Sequence, residues 1–170
     1  MILPFSTQID KKPTYFIEKI WNGLLQEKFN LIAYHKFRDD AALVGVIDQW
    51  DIPESKAVKI TTIREDTNKR WKQGVLIDFF INSRTKKMFR FAPAIPVVST
   101  QKIFMTYYHS DIIQISVDGR ELFGYERLQL ALNDGFDTWN DFFEYFYPII
   151  QNHPDKLFKG KIIHWTNLKY

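Results

Sequence analysis

The sequence predicts an α+β fold: an open β-barrel of five to seven mostly antiparallel strands, with two or three helices at its periphery. Three observations point there. Runs of β-branched and aromatic residues dominate the middle of the chain, at 58–63, 75–81, 88–91 and 97–108. These runs are not interleaved with helices in the regular β-α-β alternation of a parallel sheet. Between the runs 112–117 and 121–125 stands Asp118-Gly119, a pair that closes tight hairpins because glycine takes positive φ cheaply and the turn matches strand twist.

The 170 residues, 45% hydrophobic and 25% charged, suit a single domain over 1–170 with enough apolar material for its own core. There is no cysteine, which excludes a disulfide framework, a thiolate nucleophile and a Cys-based zinc site. No run approaches the roughly 18 apolar residues of a membrane span, and no export signal is visible, so a cytoplasmic protein that does not enter membranes is expected. A net charge of +3 permits a polyanionic partner without requiring one.

Taken in order, residues 14–27 carry Phe16, Ile17, Ile20, Trp21, Leu24 and Leu25 at helical spacing, with Glu18, Lys19, Asn22 and Gln26 assigned to the polar face. Gly23 weakens a helix interior by about 1 kcal/mol relative to Ala, and so marks either the last turn or a place where other backbone comes close. Residues 31–34 read as a short strand, 41–47 as a strand or buried turn, and 51–55 as a loop. Strands follow at 58–63, 75–81, 88–91 and 97–108, with Pro93 and Pro96 placed at an edge or bulge. After the hairpin comes a short helix over 126–132, stopped by Asn133-Asp134-Gly135. A second helix begins at Asp137 or Thr138, with Trp139, Phe142, Phe143, Phe146 and Ile149 on one face, and Pro148 is expected to close it. Residues 161–168 read as the last strand. The four histidines, His35, His109, His153 and His164, show no ligand spacing and read as surface or capping residues. No phosphate loop, nucleophile elbow or metal-binding motif is present, and no metal or cofactor is expected.

The chemistry concentrates in Lys59-Ile60-Thr61-Thr62-Ile63-Arg64. Were 58–64 fully extended, Lys59, Thr61 and Ile63 would share one face, and Thr62 and Arg64 the other. A bend is needed for Lys59 and Thr62 to reach one ligand. Arg64 adds a planar fork of donors suited to phosphate or carboxylate. In an ordinary strand such Lys and Arg residues are solvated, and Thr is simply a good strand former. Two basic clusters, Arg64, Lys69, Arg70 and Lys72, then Arg84, Lys86, Lys87 and Arg90, are interleaved with Trp71 and Phe89. That mixture suits RNA, although solvated loops look the same.

This stretch resembles the signature of the ASCH family, G-x-K-x-x-T-x-R, with Lys59, Thr62 and Arg64 at the required spacing and Ala57 where the family has Gly. The resemblance extends to the helix ending in Asn22-Gly23, the segment 70–74 before a strand, and Asp134-Gly135-Phe136 before a Trp- and Phe-bearing helix. Residues 30–55 then correspond to an insertion. The resemblance implies a PUA-like barrel that binds RNA or a modified nucleoside through a groove at Lys59, Thr62 and Arg64; the first basic cluster makes Arg70, Trp71 and Lys72 the expected further ligand contacts. Its alternative implication is an amidohydrolase that removes acetyl from N4-acetylcytidine-like nucleosides. Lys59 and Thr62 then match the family's catalytic Lys and Thr, and Asp134 matches its Glu, one methylene shorter; Glu126 is the second candidate acid. A third reading is a protein-interaction adaptor using the apolar residues and Trp50 of 30–55.

Overall fold

The structure, a computed structural model, describes residues 1–27, 29–46, 58–107 and 112–170. The described residues form an α+β fold with four helices and mostly antiparallel sheets. The described strands form separate sheets, with no closed barrel among them.

One sheet is built around β5 (Leu76–Ile81). The strand β1 (Ile2–Phe5) lies parallel to it, and the two-residue strands β6 (Phe89–Arg90) and β7 (Ile95–Pro96) lie antiparallel. A short hairpin, β2 (Gln8–Ile9) with β3 (Lys12–Pro13), follows β1. The larger sheet runs β10-β9-β8-β11-β4, with β4 (Thr61–Arg64), β8 (Ser99–Thr106), β9 (Gln114–Val117), β10 (Arg120–Glu121) and β11 (Leu157–His164), all antiparallel. Asp118 and Gly119 close the β9–β10 hairpin with φ of 50° and 88°, the paired positive values of a type I′ turn.

Strand alternation in β11 divides the interior into two cores. Ile163 and Trp165 face a core containing Trp21, Phe79 and Phe91, while Ile162 and Phe158 face one containing Phe142, Phe146 and Leu130. The large sheet is therefore covered on both faces. The helix α1 (Phe16–Gln26) seals the first core with Ile20, Trp21 and Leu24, and the Trp21 indole donates to Phe91 O at 2.8 Å. The helices α3 (Tyr125–Asn133) and α4 (Trp139–Asn152) seal the second. The Thr138 hydroxyl caps α4 by accepting from Asp141 N at 3.1 Å.

Several expectations need correction. Residues 31–43 form a helix, α2 (Leu31–Leu43), where a short strand was expected. Asn30 starts it, its side chain accepting from Ile32 N at 2.8 Å. Ala33, Tyr34, Phe37 and Ala41 lay a helical stripe on the first core, but exposed Leu31, Ile32 and Leu43 obscure that stripe in the sequence. Pro148 lies within α4 instead of closing it. The last strand begins four residues earlier than 161, at Leu157. The strands β1, β2 and β3 were not anticipated at all. His164 is fully buried, contrary to a surface or capping role. The loop expected at 51–55, Trp50, Ala57 and His109 lie outside the described residues. Among the described residues, no helix is long and apolar enough to cross a membrane, and no group of three or more His, Asp or Glu is placed to hold a metal ion.

Candidate functional site

The site forms where α1, the start of β4 and the turn after α3 meet. Residues 58–60 do not continue β4. They are drawn sideways by two backbone bonds, Lys59 N to Lys19 O and Ile60 N to Asn133 O, both 3.0 Å. This is the bend that lets Lys59 and Thr62 line one cavity, where an extended strand would part them.

Two glycines make room for that crossing. A Cβ on Gly23 would stand 2.9 Å from Ile60 Cγ2 and 3.3 Å from Lys59 O. Gly23 fills both roles foreseen for it, since it opens the last turn of α1 and admits the backbone of 59–60. Gly135 has φ of +91°, and a Cβ there would stand 2.9 Å from Lys59 Cδ and 3.1 Å from Phe16 Cε1. The left-handed conformation and the lack of a side chain are both required.

Lys59 is 2% exposed and Asp134 5% exposed. The Lys59 ammonium donates to the carbonyl of Asp134 and to its Oδ1, the latter at 2.8 Å. The same Oδ1 accepts from Ile63 N at 3.1 Å. The Phe16 ring centroid lies 4.6 Å from Nζ and that of Phe5 5.7 Å, so the cation also faces aromatic π density. Burial is the dominant influence on the ammonium and lowers its pKa to about 8 against the opposing pull of Asp134; Arg64 and Lys19 lower it further. Burial likewise raises the Asp134 carboxyl above the usual carboxylate range, opposed by Lys59 and Arg64.

Around this pair is a cavity of about 50 Å³ lined by Lys59, Thr62, Arg64, Asp134 and Tyr145, with Ser6, Ile9, Phe16, Ile63 and Phe136 completing its wall. Arg64 donates from Nη2 to Pro4 O at 2.7 Å, while its Nε is buried with no partner among the described residues. Burial raises the Tyr145 hydroxyl pKa. Ile9, Phe16, Phe136 and Tyr145 also line a neighbouring cavity of about 280 Å³ between the β2–β3 hairpin and the start of α4. Asp10, Asp137, Asp141 and Glu144 edge that larger space together with Lys12 and Lys19. Both ammonium groups there already pair with these carboxylates: Lys19 with Asp137 at 2.8 Å, and Lys12 with Asp141 and Glu144 at 3.9 Å each.

The structure thus brings Lys59, Thr62, Arg64 and Asp134 together. It does not bring Arg70, Trp71 or Lys72 to them; none of the three lines either cavity. Trp71 is buried in the first core, and Arg70 and Lys72 are exposed on the loop joining β4 to β5. Asp66 organises that loop, accepting from Arg70 N at 2.8 Å and Trp71 N at 3.1 Å and pairing with Lys161 at 2.9 Å. Glu126 is half-buried and pairs with Arg120 at 2.7 Å, and it does not line the Lys59 cavity. In the second basic cluster, Arg90 pairs with Asp78 at 3.5 Å and Phe89 packs against the first core.

Sequence reasoning missed two residues of the site. Lys19 was assigned to the polar face of its helix but is 1% exposed. Its position beside Ile20 and one turn from Tyr15 gives no hint that a charge is wanted inside. Tyr145 was lost among the aromatics of α4. Comparison with family models, with curated proteins and with solved structures returns no match.

Proposed function

We propose that the cavity at Lys59 is the active site of a small-amide hydrolase, of the ASCH type on a PUA-like scaffold, acting on N4-acylated cytidine-like nucleosides. The observation that carries this reading is the buried Lys59–Asp134 pair sharing a cavity with Thr62. A buried ion pair is at best a weak source of stability, whereas a lysine whose pKa lies near 8 is a usable base.

In its neutral form Lys59 has two N–H groups, matching the two Asp134 oxygens it contacts, and one lone pair free to take a proton. With a pKa of about 8, about one-tenth of the enzyme is in this form at pH 7. As Thr62 Oγ1 attacks the acyl carbon, its proton passes to Lys59 Nζ. The carbonyl oxygen becomes an oxyanion, for which the unpartnered Nε–H of Arg64 is the available donor. Collapse breaks the C–N bond, and the proton returns from Lys59 to the departing amine. Water, deprotonated by Lys59, then cleaves the Thr62 ester, and that proton passes from Lys59 to Thr62 Oγ1 as the carboxylic acid leaves. Asp134 holds the lysine in place throughout.

The larger cavity favours a small ligand over a strand of RNA. Its four carboxylates outnumber its two ammonium groups, an arrangement that repels phosphate, while Phe16, Phe136 and Tyr145 offer apolar faces to a base or sugar. The test is release of cytidine from N4-acetylcytidine by the purified protein, with Thr62→Ala and Lys59→Met reducing turnover by at least about 100-fold. No turnover at high enzyme concentration, or full activity in Thr62→Ala, removes the proposal. A salt-sensitive affinity for RNA without turnover returns the chain to the binding reading.

A further inference from the structure

Lys19 stands behind the reacting groups and touches both halves of the Lys59–Asp134 corner. Its backbone carbonyl accepts from Lys59 N at 3.0 Å. Its ammonium donates to Gly135 O at 2.7 Å, the residue immediately after Asp134, and pairs with Asp137 Oδ1 at 2.8 Å. One residue on α1 therefore grips the segment that delivers the base and the turn that delivers the acid. A helix that needed only an apolar face would carry Leu or Met at this depth, because burying an ammonium costs several kcal/mol before its partners repay it. Lys19 also lines the larger cavity, as does Asp137, so the grip is continuous with the wall of the substrate groove.

We infer that Lys19, held by Asp137, is a positioning residue that sets the placement and the charge environment of the Lys59–Asp134 pair. The inference rests on the hydrolase reading for its kinetic consequence, but its structural part stands apart from it. The charged and titratable groups that face Lys59 are Asp134 from the turn after α3, Lys19 from α1, Arg64 from β4 and Tyr145 from α4. Lys19 and Arg64 are the two cations among them. Removing the Lys19 charge makes Lys59 easier to protonate, whereas Asp137 offsets the Lys19 charge from 2.8 Å, so its removal acts through Lys19 in the opposite sense. Loss of packing alone has no reason to move the two variants in opposite directions.

The experiment is an NMR titration of Lys59 in protein labelled on lysine side chains, with Lys59→Met assigning the resonance. Lys19→Met is expected to raise the Lys59 midpoint by about half a pH unit or more, Asp137→Asn to lower it, and Lys19→Arg to restore it towards the parent value. If the protein is a hydrolase, Lys19→Met also lowers kcat by about 10- to 100-fold with KM changed only a few-fold, since a displacement near 1 Å costs about that much. The rising limb of its pH–rate profile moves upward with the midpoint. Unchanged midpoints in folded Lys19→Met and Asp137→Asn overturn the inference, as does a shift of both in the same direction. Should Lys19→Met fail to fold, Asp137→Asn decides alone, because Asp137 is half exposed, and a midpoint that stays put or rises sinks the idea. Opposite shifts without turnover keep the positioning role and reject only the hydrolase.

Discussion

The Lys59–Asp134 pair invites a double-mutant cycle in Lys59→Met and Asp134→Asn, read by urea unfolding at pH 7. Methionine keeps the path of the lysine chain past Phe16 but leaves the Asp134 carboxylate 5% exposed, with the Ile63 N–H still bonded to it and Arg64 as the cation that still acts on it. Breaking a buried pair from one side costs about 3–5 kcal/mol. Asparagine keeps an oxygen for Ile63 N and for Lys59, and the lysine sheds its proton more readily, so about 2 kcal/mol is expected from that side. The double variant lacks both charges of the pair and retains the bond to Ile63. Its cost is that of lost neutral hydrogen bonds, about 2–3 kcal/mol, well short of the sum of the singles. The coupling is then about 3 kcal/mol. Single-variant losses that add to within about 0.5 kcal/mol would show that the two groups do not interact, and would refute the geometry on which the site is built.

Other expectations follow from the same structure. Gly135→Ala combines a left-handed φ with a 2.9 Å approach to Lys59 Cδ and should cost about 2–4 kcal/mol, lowering Tm by roughly 5–15 °C. Gly119→Ala, with φ of +88° but open space around it, should cost only about 1 kcal/mol; equal losses in thermal melts would mean that crowding against Lys59 plays no part. Burial depresses the His164 pKa to about 4. The unfolded chain, near 6.5, therefore binds the extra proton more readily, and stability falls as pH is lowered from about 6.5 to 4, by up to about 3 kcal/mol. His164→Gln should flatten that limb in a series of urea midpoints, and an undiminished slope would exclude His164 as its source. Pro148 is exposed within α4, so Pro148→Ala restores an N–H to the helix and should stabilise it by about 1–2 kcal/mol after the looser unfolded chain is counted; no gain in chemical denaturation would mean that the helix has already adapted.

Local signals were legible in the sequence, and remote ones were not. Asp118-Gly119 announced its hairpin because both dihedrals are set by those two residues. The aromatic stripe of α4 and the alternating strand β5 were visible for the same reason: each pattern repeats within its own element. The parallel strand β1 was invisible. Ile2–Phe5 is only four residues long, and its partner β5 is far along the chain. Lys59, Thr62, Arg64 and Asp134 could be nominated by resemblance, but their convergence could not be derived from spacing. The bend at 58–60 is imposed by Lys19 O and Asn133 O, acceptors on two different helical segments. Arg70, Trp71 and Lys72 failed for the complementary reason: adjacency in sequence says nothing about which side chain the core will claim, and it claimed the indole.

The lysine threaded between two glycines has a consequence for how the molecule comes together. Its neighbours arrive from the start, the middle and the last third of the polypeptide, so no autonomous fragment contains the corner. A chain that has collapsed around a single core holds a strand and a helix but not the Lys59–Asp134 pair. The corner is completed only when both cores are in place.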